Sequence, residues 1–536
     1  MTLIKQTEDF SNPRQFAQSI TNQIQNTKHK ILDTITVAGP GFINISLSTD
    51  FFTKELTTII KQQDNYGSTQ WGKGETWLIE HTSPNPNKSM HLGHLRNNVT
   101  GMAISNLWEA TGIRVIRDCI DNNRGIAIAK LMWGYLKFAH QDNKHITDIN
   151  YWYKHQNEWL TPEDVNKTPD KFMDELYVQA SNDFKNSTIE DQVRQFVVDW
   201  EAENKETWAL WETVLKYVYQ GQNKTLKRLG NKWDKVWHEH EHYKQGKQFV
   251  EQGLKTGVFK KLDDGAILTN LQKEFSIPDT IVQKKDGTSL YITQDIALTK
   301  LKKETFKADK MHWIIGPEQS LAMKQVFAVC DQLGIIKYDN CIHIAYGYMS
   351  IKGQGKMSSR EGNVIYIDDL IDQTKEEIRK ILDEEKIGSD SLNQTSETIA
   401  LGAIKYSILK TGRLTNTSFD IQSSIDIHGN SGPYLQYTHA RCHSVLIKAQ
   451  EQNIQDTKYK IQNTKYSLEE LAVLKYLYRF PEVVTHAAQE YAPNHVCTYL
   501  YELAQRYNTF YNKHSVLNAQ DDQIKAFRLQ LTQATM

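Results

Sequence analysis

The 536-residue sequence predicts an α/β protein: a parallel sheet interrupted by a helical insertion, with a small α+β module before it and an all-α bundle after it. Three observations predict this. Apolar runs close to glycine- or proline-containing loops recur at Thr76–Glu80, Arg114–Arg117, Met311–Gly316 and Cys341–Tyr346, as expected for buried parallel strands. Between residues 145 and 230 a charged, Trp-rich helical sequence replaces that pattern. From 370 onward helical periodicity dominates, as in Ile371–Leu382, so the last third is expected to be an all-α bundle.

The elements follow in order. Residues 1–75 open with a polar helical stretch, and Ile35–Leu47 then places apolar runs on either side of Gly39-Pro40-Gly41, two strands of a separate module. Thr76–Glu80 reads as a strand that ends at a loop containing Pro84 and Pro86, after which a helix can begin near His91. Strand, loop, helix is the start of a Rossmann-type nucleotide-binding domain, expected over 76–370 with its insertion at about 145–230. A helical region over 371–425 and a terminal helical domain over 426–536 complete the division. Ile454–Lys460 is nearly repeated as Ile461–Ser467; two units are too few for a solenoid, and the stretch reads as a surface linker between helices.

At this length two to four domains are expected. Net charge is −1, so no global positive field points to a nucleic acid, although residues 401–536 hold 14 Lys/Arg against 11 Asp/Glu. The five cysteines are scattered, without a C-x-x-C pair, which argues against a disulfide framework or a zinc knuckle. No hydrophobic signal core opens the chain and no apolar run approaches the ~18 residues of a membrane span, so no membrane association and a cytoplasmic location are expected.

Two short strings carry the chemistry. In the first, Ser83–Met90 leads into His91-Leu92-Gly93-His94 at a helix start, where exposed N–H groups and the helix dipole favour phosphate. Gly93 removes a Cβ that would block close approach, and the two imidazoles can donate to phosphoryl oxygens. The second, Lys356-Met357-Ser358-Ser359-Arg360, is a cationic, hydroxyl-rich stretch flanked by Gly353, Gly355 and Gly362. Together they resemble the HIGH and KMSKS signatures of the class I aminoacyl-tRNA synthetases. That resemblance implies ATP as a substrate, with Mg²⁺ bridging its phosphates and no protein-bound structural metal.

From about residue 36 to 531 the sequence looks specifically like the arginyl-tRNA synthetase family. Ser83-Pro84-Asn85 through His94-Leu95-Arg96-Asn97 has that family's form, with Lys88 just ahead of the HxGH. In the family this upstream lysine replaces the second lysine of KMSKS; Ser359 stands at that place here, so Lys88 is the candidate for the missing charge. His91, His94, Lys88 and Lys356 are then the catalytic candidates, and Gly93, Met357, Ser358 and Ser359 further ATP contacts. A guanidinium needs paired carboxylate oxygens. By motif, Asp295 and Tyr291 (in Asp286–Ala297) and Glu239 (in Trp237–Tyr243) are the arginine-binding candidates, while Asn85 and Gln319 match positions that contact the α-amino or carboxylate group. A spacing of four allows Tyr291 and Asp295 to face one pocket. The alternating His238, His240 and His242 would lie on one face of a strand, where an exposed polar strand is a simpler account than zinc. Ser431–Arg441 resembles the opening of the DALR anticodon-binding domain; Tyr499, Tyr501, Tyr507, Phe510 and Tyr511 continue on later helices, where such spacing more often means core than base platforms.

The sequence departs from the family pattern at Asn123 (for Asp), Ala127 (for His) and Ala322 (for His), replacements expected to weaken ATP or arginine positioning, and both ends look short. The resemblance implies an arginine–tRNA ligase that makes arginyl-adenylate from L-arginine and ATP and passes arginine to the terminal adenosine of tRNA(Arg), acting as a monomer. Activation is expected to wait for tRNA. The alternatives are a non-catalytic tRNA-binding paralogue and another class I synthetase, such as one for cysteine.

Overall fold

A computed structural model describes residues 12–27, 31–287, 290–353, 365–382, 388–454 and 466–536. The chain divides into two compact units: one takes residues 1–69, 426–489 and 495–536, the other 70–425 with 490–494.

The larger unit is built on five parallel strands, β1 (Thr76–Glu80), β2 (Arg114–Asp121), β3 (Lys235–His238), β4 (Lys310–Ile314) and β5 (Cys341–Ile344), in the order β5-β4-β1-β2-β3. The order reverses between β1 and β4, and in such sheets ligands bind outside the carboxyl ends of the strands at that point. β1 can occupy the centre because Trp77, Leu78 and Ile79 are almost wholly buried. The helix Leu92–Ala110 meets the sheet through Trp108, whose ring lies 4.9 Å edge-on from Trp77, while its Leu92, Leu95 and Val99 pack with Ile367, Leu370 and Ile404. Aromatic pairs of this geometry add about 0.5–1.5 kcal/mol beyond the area they bury.

The insertion is helical, as expected: Ile149–Lys154, Pro169–Asp183, Ser187–Glu201 and Lys205–Leu229. Its tryptophans Trp152, Trp159, Trp200 and Trp211 form a core shared with Leu131, Trp133 and Leu136 of the preceding helix Ile126–Phe138.

Two features differ from the sequence reading. A three-stranded antiparallel sheet (Phe259–Lys261, Ile267–Thr269, Ile281–Gln283) sits between β3 and β4. The helical pattern after 370 is also broken once, by Thr417–Phe419, which pairs in parallel with Met349–Ile351. The buried Arg96 pins that pair, donating to the carbonyls of Tyr348 (3.3 Å), Arg413 (3.0 Å) and Thr415 (2.6 Å) and to Thr417 Oγ1 (2.6 Å). These partners lie some three hundred residues from Arg96, so local periodicity carries no trace of them.

In the smaller unit, Leu32–Ala38 and Phe42–Leu47 form an antiparallel hairpin. Phe52, Leu56 and Ile59 of the helix Thr49–Gln62 join the core of the C-terminal helices with Leu477, Tyr507 and Phe527. Tyr499, Tyr507 and Phe510 are core, as their spacing suggests, whereas Tyr511 is 36% exposed. Residues 455–465, most of the near-repeat, lie outside the described residues, between helices Gly432–Glu451 and Leu468–Leu477.

Candidate active site

The carboxyl end of β1 runs into an irregular loop. Thr82 and Ser83 both have positive φ (73° and 33°), a costly conformation for residues with a Cβ. Side chains from the following helix hold it: Asn97 Oδ1 accepts from the Thr82 N–H at 2.7 Å, and Asn98 Nδ2 donates to Thr82 Oγ1 at 3.1 Å. Asn97 Nδ2 also donates to the Ile314 carbonyl at 2.7 Å, which ties the β1 loop to the end of β4 across the switch point.

His91 caps the helix. Its Nδ1 accepts from the Gly93 N–H at 3.1 Å, while the His91 N–H donates to His94 Nδ1, also at 3.1 Å. The rings lie 4.1 Å apart. A Cβ on Gly93 would fall 3.0 Å from His91 Cε1, so glycine lets the imidazole fold back over the helix start. Burial lowers both histidines, His91 to about 4 with Lys88 adding to it, and His94 well below the usual range with His91 and Lys88 adding. Both rings are therefore neutral at physiological pH. With each Nδ1 used as an acceptor, the proton sits on Nε2, and each ring keeps one N–H donor for an anion.

Asn85 is exposed on the same loop, where its Oδ1 accepts from Asn122 Nδ2 at 3.3 Å. Gln319 is exposed at the turn after β4, the other side of the switch point. Tyr291 opens the helix Tyr291–Phe306 and is 83% exposed; Asp295 lies one turn on and is half-buried. Lys356, Met357, Ser358 and Ser359 lie in 354–364, outside the described residues.

Glu239 follows β3 directly. Burial raises its carboxyl and Arg124, at 3.6 Å, pulls it back. Arg124 also pairs with Glu201 and lies over the Tyr243 ring at 3.8 Å, so Glu239 has a fixed cationic neighbour that motif matching did not anticipate. Asp295 is pushed up to about 7, first by burial, then by the charge of Glu80, with Lys302 opposing and Glu239 adding to the rise. Asp295 and Glu239 thus sit within electrostatic reach of each other, and each is easier to ionise once a cation arrives.

Beneath them lies a buried ionic group that sequence reasoning missed. Lys302 Nζ lies 2.6 Å from Glu80 and 2.7 Å from Asp118, with all three side chains at 5% exposure or less. Trp237 Nε1 also donates to Asp118 at 2.8 Å. Acidic residues within the buried strands β1 and β2 were the available signal, since buried carboxylates are rarely unpaired.

The His238/His240/His242 alternation is corrected. β3 ends at His238, and Glu239–His242 is a helical turn because Asn123 Oδ1 accepts the His240 N–H at 3.2 Å. The three imidazoles therefore do not share a strand face. Among the described residues no group of three or more His, Cys, Asp or Glu is placed to hold a metal ion. Asn123 also explains its own departure from the family pattern. Its Nδ2 lies 2.9 Å from Nδ1 of His240, a ring that burial keeps neutral, so a neutral amide suits the site where a carboxylate would demand a ring N–H.

In the smaller unit, Arg441 lies between Tyr437 and Tyr511, its guanidinium 4.8 Å from each ring centre, beside a groove of about 680 Å³ that Lys448, Lys513 and His514 also line.

A family model described as "tRNA synthetases class I (R), catalytic domain" matches residues 55–421. "DALR anticodon binding domain" matches 435–536 and "Arginyl tRNA synthetase N terminal domain" matches 1–47. The arginine–tRNA ligase of Treponema denticola is 33% identical, covering 98% of this chain and 87% of its own length; that of Parabacteroides distasonis is 31% identical, covering 97% and 87%. The arginyl-tRNA synthetase of Thermus thermophilus shares the fold, with a TM-score of 0.79 at 21% identity over 98% of this chain and 88% of that one. With the catalytic model matched over most of the sequence and relatives of that identity along nearly its whole length, the chain belongs to the class I arginyl-tRNA synthetases.

Proposed function

We propose that this chain activates L-arginine with ATP to arginyl-adenylate and transfers the arginyl group to the 3′-terminal adenosine of tRNA(Arg). The observation that carries the reading is the pair Asp295 and Glu239, two carboxylates with raised proton affinity within electrostatic reach of each other, in a chain whose helix start carries two neutral imidazoles. A substrate guanidinium supplies the missing positive charge. Asn85 and Gln319, on opposite sides of the switch point, are proposed to hold its α-amino and carboxylate groups, with Tyr291 at the pocket rim.

The substrate carboxylate is the nucleophile, so the protein positions reactants and stabilises charge. The His91 and His94 Nε2–H donors, Lys88 and Lys356 act on the phosphates, with Gly93, Met357, Ser358 and Ser359 completing the ATP contacts. Mg²⁺ is proposed to enter with ATP, neutralising phosphate charge, in keeping with a phosphate grip built of donors. The groove at Tyr437, Arg441 and Tyr511 offers a cation and flat rings to unstacked tRNA bases. No described helix is long and apolar enough to cross a membrane, and the five cysteines are buried with no disulfide among them.

A charging assay with total tRNA and each of the twenty amino acids tests this. Arginine alone is expected to be incorporated; another amino acid, or tRNA binding without charging, would refute it. His94→Ala is expected to slow adenylate formation about 10²–10³-fold, the usual loss for one preorganised charge-stabilising donor, with arginine affinity unchanged. An equal loss in arginine binding would place His94 elsewhere.

A further inference from the structure

Two side chains from the insertion converge on the loop that carries Lys88. Gln222, 4% exposed on the helix Lys205–Leu229, donates through Nε2 to the carbonyls of Asn85 (3.1 Å) and Lys88 (2.9 Å). Asp174, 9% exposed on the helix Pro169–Asp183, accepts the Tyr366 hydroxyl at 2.9 Å and also the backbone N–H of Ser89. The helices meet closely because Gly221 has no side chain: a Cβ there would fall 2.2 Å from Asp170 Oδ1. That approach brings Asp174 and Gln222 to the same loop.

Asp174 is also joined to the segment just downstream of Lys356–Arg360. Tyr366 forms an antiparallel bridge with His91, and the Ile367 N–H donates to the Met90 carbonyl at 3.1 Å. Burial pushes the Asp174 carboxyl up, while the Tyr366 hydrogen bond and then the nearby Lys88 charge bring it back. One carboxylate therefore touches the return of the second signature through Tyr366 and the backbone of the first through Ser89, with the Lys88 ammonium in its field.

We propose that Asp174 is a positioning residue for Lys88: the insertion, through Asp174 and Gln222, aims the ammonium at the ATP phosphates and keys it to the segment that follows Lys356–Arg360. The inference rests on the functional reading above. An unclamped lysine would still bind ATP but would spend less time in the reactive geometry, and misplacements of this kind cost up to about 10²-fold in rate.

Asp174→Asn keeps the shape and an acceptor for Tyr366 but removes the charge. With saturating tRNA, its kcat for arginine-dependent release of pyrophosphate from ATP is expected to fall roughly 10- to 100-fold, while the arginine KM stays within about twofold. On a Lys88→Ala background the same substitution should cost less than about twofold, because the group it positions is gone. Tyr366→Phe, which keeps the Asp174 and Lys88 charges but takes the hydroxyl donor from Asp174, should lower kcat in the same direction. Folded Asp174→Asn or Tyr366→Phe with wild-type kcat, or a full Asp174→Asn loss without Lys88, would overturn the proposal. Wild-type protein that activates another amino acid would refute the functional reading alone, since the Lys88 coupling remains measurable with that substrate.

Discussion

Asp295→Asn weakens arginine binding by about 30-fold or more. Removing one partner of a desolvated, hydrogen-bonded charge pair costs roughly 2–5 kcal/mol, and each ~1.4 kcal/mol is tenfold in affinity. The wild-type protein adds a pH signature. Because the Asp295 carboxyl is pushed up to about 7, it is protonated and neutral below that pH and ionised above it. A guanidinium selects the ionised form, so the arginine Kd should fall about tenfold per unit as pH rises towards 7 and then level off. The asparagine variant should lose that slope along with its affinity. Arginine titrations by calorimetry at several pH values check both; an unchanged Kd, or a variant that keeps the slope, would remove Asp295 from the pocket.

Lys302→Met destabilises the catalytic unit by about 3–5 kcal/mol, the cost of stranding one side of a buried ionic group. Here the stranded side is double: Glu80, which burial already raises, and Asp118. Removing both carboxylates as well, in the triple variant with Glu80→Gln and Asp118→Asn, should recover most of the loss, since uncharged side chains carry no such desolvation debt. Urea midpoints followed by tryptophan fluorescence report the change. A single variant within ~0.5 kcal/mol of wild type would mean that the three charges are far better hydrated than their burial implies.

The sequence held much of this architecture for reasons that differ from part to part. Strands such as Thr76–Glu80 were legible because burial on both faces demands an unbroken apolar run. His91, Gly93 and His94 were legible because a helix start that grips an anion needs those residue types side by side. Arg124 beside Glu239 and Gln222 on the Lys88 carbonyl were not legible. Their partners lie more than a hundred residues away, and only the fold brings them together. The Glu239–His242 turn was misread because alternation signals a strand only where a neighbouring strand is present to pair with it, and here Asn123 takes the His240 N–H instead.

The turn Arg96-Asn97-Asn98 reaches three different parts of the catalytic unit from three consecutive residues. Arg96 fastens the Thr417 strand, Asn97 spans the sheet's switch point, and Asn98 steadies the twisted Thr82. Consecutive side chains on a helix project about 100° apart, which is how one turn reaches in three directions. The same geometry makes the segment intolerant of a frame shift in structure: deleting a single residue ahead of it would rotate all three side chains off their targets at once. A point substitution here costs only the hydrogen bonds of that one side chain, whereas one missing residue costs those of all three. In homologous chains, insertions and deletions should therefore skip this turn even where its individual residues vary.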